Sequence, residues 1–257
     1  MPKWNTLTNK QGLIVWGGEQ STDYGIVVSA APAFDKPRKR TTVYNIPGRN
    51  GDIITQDGSF DNVVRTYKVW LAEDEHYDSG GYYTYGSLAE RVNAFSEWLY
   101  SKTGYQKLSD NFEPDYFRLA YFAGGQEITD ELLMYGETEL SFVCKPQRFL
   151  TAYDSASVTT KKNITFINPT KYNSKPLIKL EGSGTCSIGA NGNTITVTGL
   201  VDYIYIDCDT MNAYRLASEN KNSDISGAFP VLASGVNAIA TTGTITTLKI
   251  TPRYFKL

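Results

Sequence analysis

The first half of the chain consists of short apolar runs separated by turn residues, a pattern typical of antiparallel β structure. Residues 12–18 and 24–28 each predict a strand beside a glycine turn. Pro47-Gly48 favours a type II turn and Asn50-Gly51 favours a type I′ turn, because both turn types place glycine at positive φ. After these turns, residues 53–70 predict one long hairpin with a polar tip.

The second strand of this hairpin, residues 63–70, has two faces of mixed character. Alternate residues of a strand point to opposite sides of the sheet. One side carries Val64, Thr66, Lys68 and Trp70, and the other carries Val63, Arg65, Tyr67 and Val69. Since neither side is purely apolar, we expect this strand to contact partners on both sides.

One segment has helical rather than strand periodicity. Ser87 and Glu90 form a capping box, in which each side chain satisfies a backbone N–H of the first turn. A single apolar stripe then follows at helical spacing, made of Leu88, Val92, Phe95 and Leu99. Gly104 stands where a left-handed residue would end the helix. The pattern predicts a helix over residues 88–102.

The character of the sequence changes near residue 151. Charged residues become rarer, Thr, Ser, Asn and Gly become more frequent, and turn signals such as Asn191-Gly192 recur about every 8–12 residues. We therefore predict a mainly β protein of two domains. Residues 1–150 form a β-sandwich or α+β domain with one helix and a projecting hairpin arm, and residues 151–257 form an antiparallel β-sandwich.

Net charge and hydropathy exclude several classes of protein. The 257 residues include 25 Lys and Arg against 27 Asp and Glu, a net charge of -2. A general nucleic-acid binder normally has an excess of basic residues, so specific nucleic-acid binding is not expected. The chain has no apolar run long enough for a transmembrane helix, and its first residues lack the apolar core of a signal peptide. We expect synthesis in a cytoplasm and no membrane insertion.

The histidine and cysteine residues give no metal-binding or nucleophilic motif. His76, the one histidine, lies in the acidic run 73–78, which is typical of a solvated surface. The three cysteines are far apart and include no C-x-x-C pair, so zinc-ligand spacing is absent. We expect Cys144, Cys186 and Cys208 to be small buried hydrophobic residues.

Carboxylate pairs are the remaining candidates for chemistry. Asp207 and Asp209 follow a strand and could bind a cation or act as acid and base on a sugar. They could equally be the polar end of a strand that enters a turn. Asp110, Glu113 and Asp115 form a second acidic loop with less to favour it. We predict no catalytic residues, no cofactor and no metal, and therefore no enzyme.

A basic stretch precedes the predicted hairpin. Lys36, Arg38, Lys39 and Arg40 place four positive charges within five residues. Such a run is usually a solvated edge, and the functional alternative is contact with an acidic partner surface.

The order of segments resembles the distal tail proteins of long-tailed bacteriophages with non-contractile tails. In the first half the likeness is carried by residues 37–40, residues 46–52, the hairpin, the single helix and residues 144–149. In the second half it is carried by residues 166–170, 174–178, 204–207, 213–214, 229–232, 235–239 and 250–254. The likeness covers nearly the whole chain.

This resemblance implies a structural protein of the virion at the distal end of the tail. In the family, six copies form a ring through their N-terminal domains, and the ring joins the tail tube protein to the tail-associated tip protein. The C-terminal domain is galectin-like and serves as a docking point for receptor-binding proteins or, in some relatives, binds host surface glycans. The predicted partners are therefore further copies of this chain and these tail proteins.

The resemblance also implies an interface between neighbouring subunits. The hairpin arm over residues 53–70 would contact the next subunit, with the basic residues near the ring junction. The predicted interface residues are Arg38, Arg40, Arg49, Val63, Val64, Tyr67, Val69 and Trp70. The alternative is that these residues pack within their own domain.

Two other functions compete with this one. The first is a glycan-binding β-sandwich module of a virion or secreted protein, which would use exposed tyrosines of the second half. The second is a glycoside hydrolase that uses Asp207 and Asp209 or an acid of the 110–115 loop, and it requires two carboxylates about 5–10 Å apart across a cleft.

Overall fold

The computed structural model describes residues 12–71, 85–124, 137–155, 157–159, 163–216 and 219–257. The chain folds into two compact units, one of Met1–Arg148 with Leu257 and one of Phe149–Lys256. Strands dominate both units, so the prediction of a mainly β protein is confirmed. His76 and its acidic run lie outside the described residues.

The main sheet of the first unit is antiparallel and curls back on itself. Its strands are β1 (Ile14–Trp16), β2 (Glu19–Gln20), β3 (Ile26–Val28), β6 (Val63–Leu71), β7 (Gln106–Asp110), β8 (Tyr116–Phe122) and β9 (Glu137–Leu150). They lie side by side in the order β2-β1-β7-β8-β9-β6-β3. Gly12 bridges to Val28 of β3 just before β1 begins. This residue just before β1 therefore also pairs with β3, the strand at the end of this order.

The core of the first unit lies between this sheet and one helix, α1 (Tyr85–Ser101). Val92, Phe95, Trp98 and Leu99 of the helix are buried there. The rings of Trp98 and Trp16 meet edge to face with centroids 5.9 Å apart. The helix begins three residues before the predicted start and ends one residue before the predicted end. Ser87 is thus inside the helix rather than at its cap, and its side chain lies outside the described residues.

Two further strands of the first unit stand apart from this core. β4 (Lys39–Tyr44) and β5 (Ile53–Phe60) pair only with each other among the described residues, as a separate two-stranded sheet. We call β4, β5 and the loop 45–52 the arm, and the loop itself the arm tip.

The second unit is built around three long antiparallel strands of 14 to 17 residues, with shorter strands beside them. Its strands are β10 (Ser157–Thr159), β11 (Asn163–Asn168), β12 (Leu177–Ala190), β13 (Asn193–Asp207), β14 (Asn212–Tyr214), β15 (Ile225–Gly227), β16 (Gly235–Thr251) and β17 (Phe255–Lys256). The order is β10-β16-β12-β13-β14, with β11 on β16 and β15 on β13. Asn191 and Gly192 join β12 to β13 with φ of 52° and 84°, which confirms the predicted two-residue turn.

The core of the second unit is separate from that of the first. It is formed mainly by aliphatic residues on the inner faces of β12, β13 and β16, such as Ile178, Ile206 and Ile250. No α-helix is found among the described residues of this unit. Across the described parts of the chain, no helix has the length and hydropathy that a membrane span requires.

Candidate assembly interface

The arm is a hairpin without a core of its own. Tyr44 pairs with Ile53, Val43 with Ile54 and Thr42 with Thr55. Every residue of β4 is exposed, and no arm residue belongs to a buried core cluster. An isolated two-stranded hairpin is at best marginally stable in water, since ordering its backbone is not offset by buried apolar surface.

Both faces of the arm carry apolar side chains in water. Residues directly opposite each other in a ladder share a face, so Val43 and Ile54 form one exposed pair. They are 54% and 60% exposed. Tyr44, 54% exposed, lies on the other face with the half-buried Ile53. Apolar pairs of this kind on a projecting element are typical of an interaction surface.

The arm tip is a structured turn. The backbone N–H of Arg49 donates to the carbonyl of Ile46 at 3.1 Å, and Gly48 has φ of 81°. These values confirm the predicted type II turn at Pro47-Gly48. The predicted type I′ turn at Asn50-Gly51 is wrong, because only Gly51 has positive φ. β4 ends at Tyr44 and β5 begins at Ile53. The whole loop 45–52 connects them, and a loop of this length does not need the tight geometry of a two-residue turn.

The arm carries exposed cations at its base and at its tip, together with the exposed carboxylates Asp52 and Asp57. Arg40 Nε donates to Asp61 Oδ1 at 2.8 Å, and this bond raises the pKa of Arg40. Arg38 and Lys39 at the base, and Arg49 at the tip, are exposed and form no ion pair among the described residues. Unpaired cations beside exposed apolar side chains favour a partner surface with negative charge.

Comparisons with known proteins give a structural match only. No protein-family model and no curated protein matches this chain. A solved structure that is similar to it is that of the Dit protein of SPP1, described as a paradigm of the hub adsorption apparatus in phages that infect Gram-positive bacteria. The TM-score is 0.67 at 14% sequence identity, and the match covers 93% of this chain and 98% of that one. This chain has the Dit fold.

The match covers both units, so it confirms the resemblance that the order of segments predicted, at the level of the fold. The SPP1 protein is a hub protein of a phage adsorption apparatus by its own description. At 14% identity, side-chain roles do not transfer, and the arm must be judged on its own geometry.

The predicted course of the arm is wrong in one respect. Residues 53–70 do not form one hairpin, because β5 pairs back onto β4 and β6 pairs with β9 and β3 of the main sheet. The chain leaves the arm at Asp61 and Asn62, which separate β5 from β6. The basic stretch, expected at a solvated edge or a partner contact, runs into the first strand of the arm, which begins at Lys39.

The interface residues predicted on β6 divide between its two faces. Tyr67 and Val69 are fully buried in the core of the first unit, and Val63 is nearly so. Their burial fits the alternative that they pack within their own domain, and they are left out of the proposed interface. Val64 is 52% exposed and Trp70 is half-buried on the opposite face, where they remain accessible.

The same buried face carries a charged residue that the sequence left unexplained. Arg65 is buried, and its guanidinium lies 2.9 Å from Asp110 Oδ2 and 3.1 Å from Glu113 Oε2. Glu113 also pairs with Arg118 at 2.9 Å and Arg148 at 2.7 Å. The mixed character of the strand therefore comes from ion pairs inside the unit rather than from an external partner.

Tyr67 completes this buried network. Its hydroxyl donates to Asp110 Oδ2 at 2.7 Å and accepts from Arg65 Nε at 3.1 Å. Burial and the charge of Asp110 raise the pKa of Tyr67 well above its ordinary value, so the phenol stays neutral. The acidic loop considered for catalysis thus balances buried arginines, and Asp115 remains exposed in the loop.

Asp207 has a structural partner as well. Both its carboxylate oxygens accept from Arg253, at 2.7 and 3.1 Å, and Oδ1 also accepts from the backbone N–H of Asp209. Burial alone would raise the pKa of Asp207, but the bonds and charge of Arg253 hold it below its usual value. A general acid for sugar hydrolysis needs a raised pKa, so this carboxylate is suited to closing a turn instead.

The cysteines match their predicted role. All three are buried as free thiols. Burial raises the pKa of Cys144 to about 11 and that of Cys208 to about 12, so neither is an activated thiolate. Within the described residues, no group of three or more His, Cys, Asp or Glu side chains could hold a metal ion.

Proposed function

We propose that this chain is a distal tail protein of a phage with a long, non-contractile tail, a structural rather than catalytic component of the virion. The observation that carries the proposal is the match to the SPP1 Dit fold over both units. A hub protein of this kind works by presenting surfaces in fixed positions, and the exposed arm is such a surface.

In this proposal, six copies form a closed ring at the distal end of the tail. A ring needs a heterologous interface, in which two different surfaces of one chain meet head to tail. The arm supplies one of them through its apolar pairs and its cations Arg38, Arg40 and Arg49. The accessible Val64 and Trp70 are proposed to belong to the same junction.

The ring would join the tail tube protein to the tail-associated tip protein. The second unit would act as the docking point for receptor-binding proteins, with a host surface glycan as the alternative ligand. A half-buried row of tyrosines, Tyr203, Tyr205 and Tyr214, supports a docking role, because aromatic residues are enriched at interfaces.

The first test is the solution mass of the purified chain, measured by light scattering over a range of concentrations. We expect a species of six times the 28.6 kDa of one chain, and electron microscopy of the same fraction should show rings. A chain that remains monomeric at the highest concentration would contradict ring formation by the chain itself.

A further inference from the structure

The proposed ring needs a second surface that receives the arm, and the exposed side of α1 is the candidate that we consider. Val92, Phe95, Trp98 and Leu99 define the buried side of this helix. The opposite side exposes Glu90, Asn93, Ala94, Glu97 and Tyr100, which we call the acidic helix face.

The carboxylates of this face belong to Glu90 and Glu97. Neither Glu90 nor Glu97 forms a hydrogen bond or ion pair among the described residues. Other exposed carboxylates have ion-pair partners, as Asp61 has Arg40 and Asp202 has Arg215. The acidic helix face thus presents two carboxylates that form no ion pair among the described residues.

The spacing of this face suits a single guanidinium. Glu90 and Glu97 are two helical turns apart, about 10 Å along the axis, so an arginine that lies over Ala94 has one carboxylate on each side of it. Tyr100, 62% exposed, adds an aromatic ring held against Phe122 at 5.3 Å. The surface thus combines negative charge with apolar area.

The arm tip has the complementary chemistry. Arg49 is an unpaired cation at the part of the arm farthest along the chain from its base, and Ile46, 40% exposed, lies beside it in the same turn. A guanidinium has five N–H donors in a planar fork, so one arginine can bind two carboxylates and also cover an aromatic ring.

From this complementarity we infer that the arm tip of one copy docks on the acidic helix face of the next, with Arg49 between Glu90 and Glu97. This inference rests on the proposed ring and names its receiving surface. The occupant is a second copy of this chain, because both halves of the charge match are carried by the same sequence. The contact is heterologous, as a ring requires.

A charge exchange tests the inference. We expect Arg49→Glu to weaken assembly of the full chain by about tenfold or more, and the double variant Glu90→Arg/Glu97→Arg to do the same. Combining all three substitutions should restore assembly. The readout is the apparent dissociation constant from light scattering, with far-UV circular dichroism of each variant to confirm folding.

Lys171→Glu is the matched control, since Lys171 is an exposed, unpaired cation of the second unit. Its assembly should equal that of the wild type. If the wild type assembles and Arg49→Glu assembles equally well, or if the combined variant is not restored, the docking inference is wrong while the ring stands. If the wild type itself does not assemble, the proposed ring is contradicted, and the docking inference that rests on it is contradicted as well.

Discussion

The charged residues beneath the main sheet of the first unit act as one balanced group. Arg65, Arg118 and Arg148 share the carboxylates of Asp110 and Glu113, with separations of 2.7 to 3.1 Å. Removing an ion from water costs several kcal/mol, so such a group is stable only while each charge keeps its partners. The network ties together β6, β7, β8 and β9, which carry its other members, through Glu113 in the turn between β7 and β8.

Glu113→Gln should therefore destabilise the first unit strongly. The amide keeps the shape of the side chain but leaves three arginines facing one carboxylate, and we expect a loss of roughly 3–5 kcal/mol in the free energy of unfolding. Trp16, Trp70 and Trp98 lie in the first unit and the sequence of the second unit has no tryptophan, so tryptophan fluorescence in a urea titration reports on the first unit. Asp61→Asn is the control, because it breaks the exposed ion pair with Arg40 in the same unit. It should change the free energy of unfolding by less than about 1 kcal/mol. An unaltered midpoint for Glu113→Gln would contradict the role of the network.

Asp207 gives a prediction with a defined pH dependence. Its pKa in the folded state lies below the ordinary value of 3.8, so its contribution to stability is present above that value and lost as the pH falls through the folded pKa. Asp207→Asn should cost roughly 1.5–3 kcal/mol at pH 7, and the difference from wild type should shrink below about pH 4. Calorimetry of both proteins between pH 7 and pH 2 measures this, and a difference independent of pH would rule the ion pair out as its source.

At the scale of secondary structure elements, the arm is the part of the molecule that contacts within the chain stabilise least. The long strands of the second unit and the sheet of the first unit each bury an apolar face. The arm exposes apolar pairs on both of its faces. One flat surface can cover only one face of a hairpin, so a partner must enclose the arm to bury both.

Single substitutions on the two faces of the arm test whether a partner encloses the arm or covers only one of its faces. We expect Ile54→Asp on one face and Tyr44→Asp on the other each to reduce assembly, because each places a charge in a buried contact of the ring. The thermal stability of the unassembled chain should be unchanged, since both positions are exposed within it. Analytical ultracentrifugation gives the assembled fraction.

Ile167→Asp is the control for these variants, because Ile167 is an exposed apolar residue of the second unit. It should assemble as the wild type does. If only one of the two arm substitutions reduces assembly, the arm lies flat on its partner and is not enclosed.

At the scale of the whole molecule, each unit has its own buried core, so its surface residues can serve assembly. Each unit buries its own cluster of apolar residues, and neither cluster includes a residue of the arm. The proposed ring therefore adds contacts to units that already have complete cores. The small net charge of -2 does not show where the charges lie, with Arg49 exposed at the arm tip and Glu90 and Glu97 exposed together on α1.

The sequence alone determined the local features of this protein. Periodicity of 2 and 3.6 residues located many of the strands and the helix of the first unit. The tolerance of glycine for positive φ located the turns at Pro47-Gly48 and Asn191-Gly192. These features depend on neighbours within a few residues, so they can be read from the chain itself. The order of segments was also sufficient to indicate the Dit fold.

Only the tertiary structure decided which strands pair and which faces are buried. Residues 53–60 and 63–71 are adjacent in sequence, yet one belongs to the arm and the other to the main sheet. The charge of Arg65 is balanced by Asp110, 45 residues away, a distance that no local pattern encodes. Pairing and charge balance are set by long-range contacts, so the buried or exposed character of β6 became clear only in the folded chain.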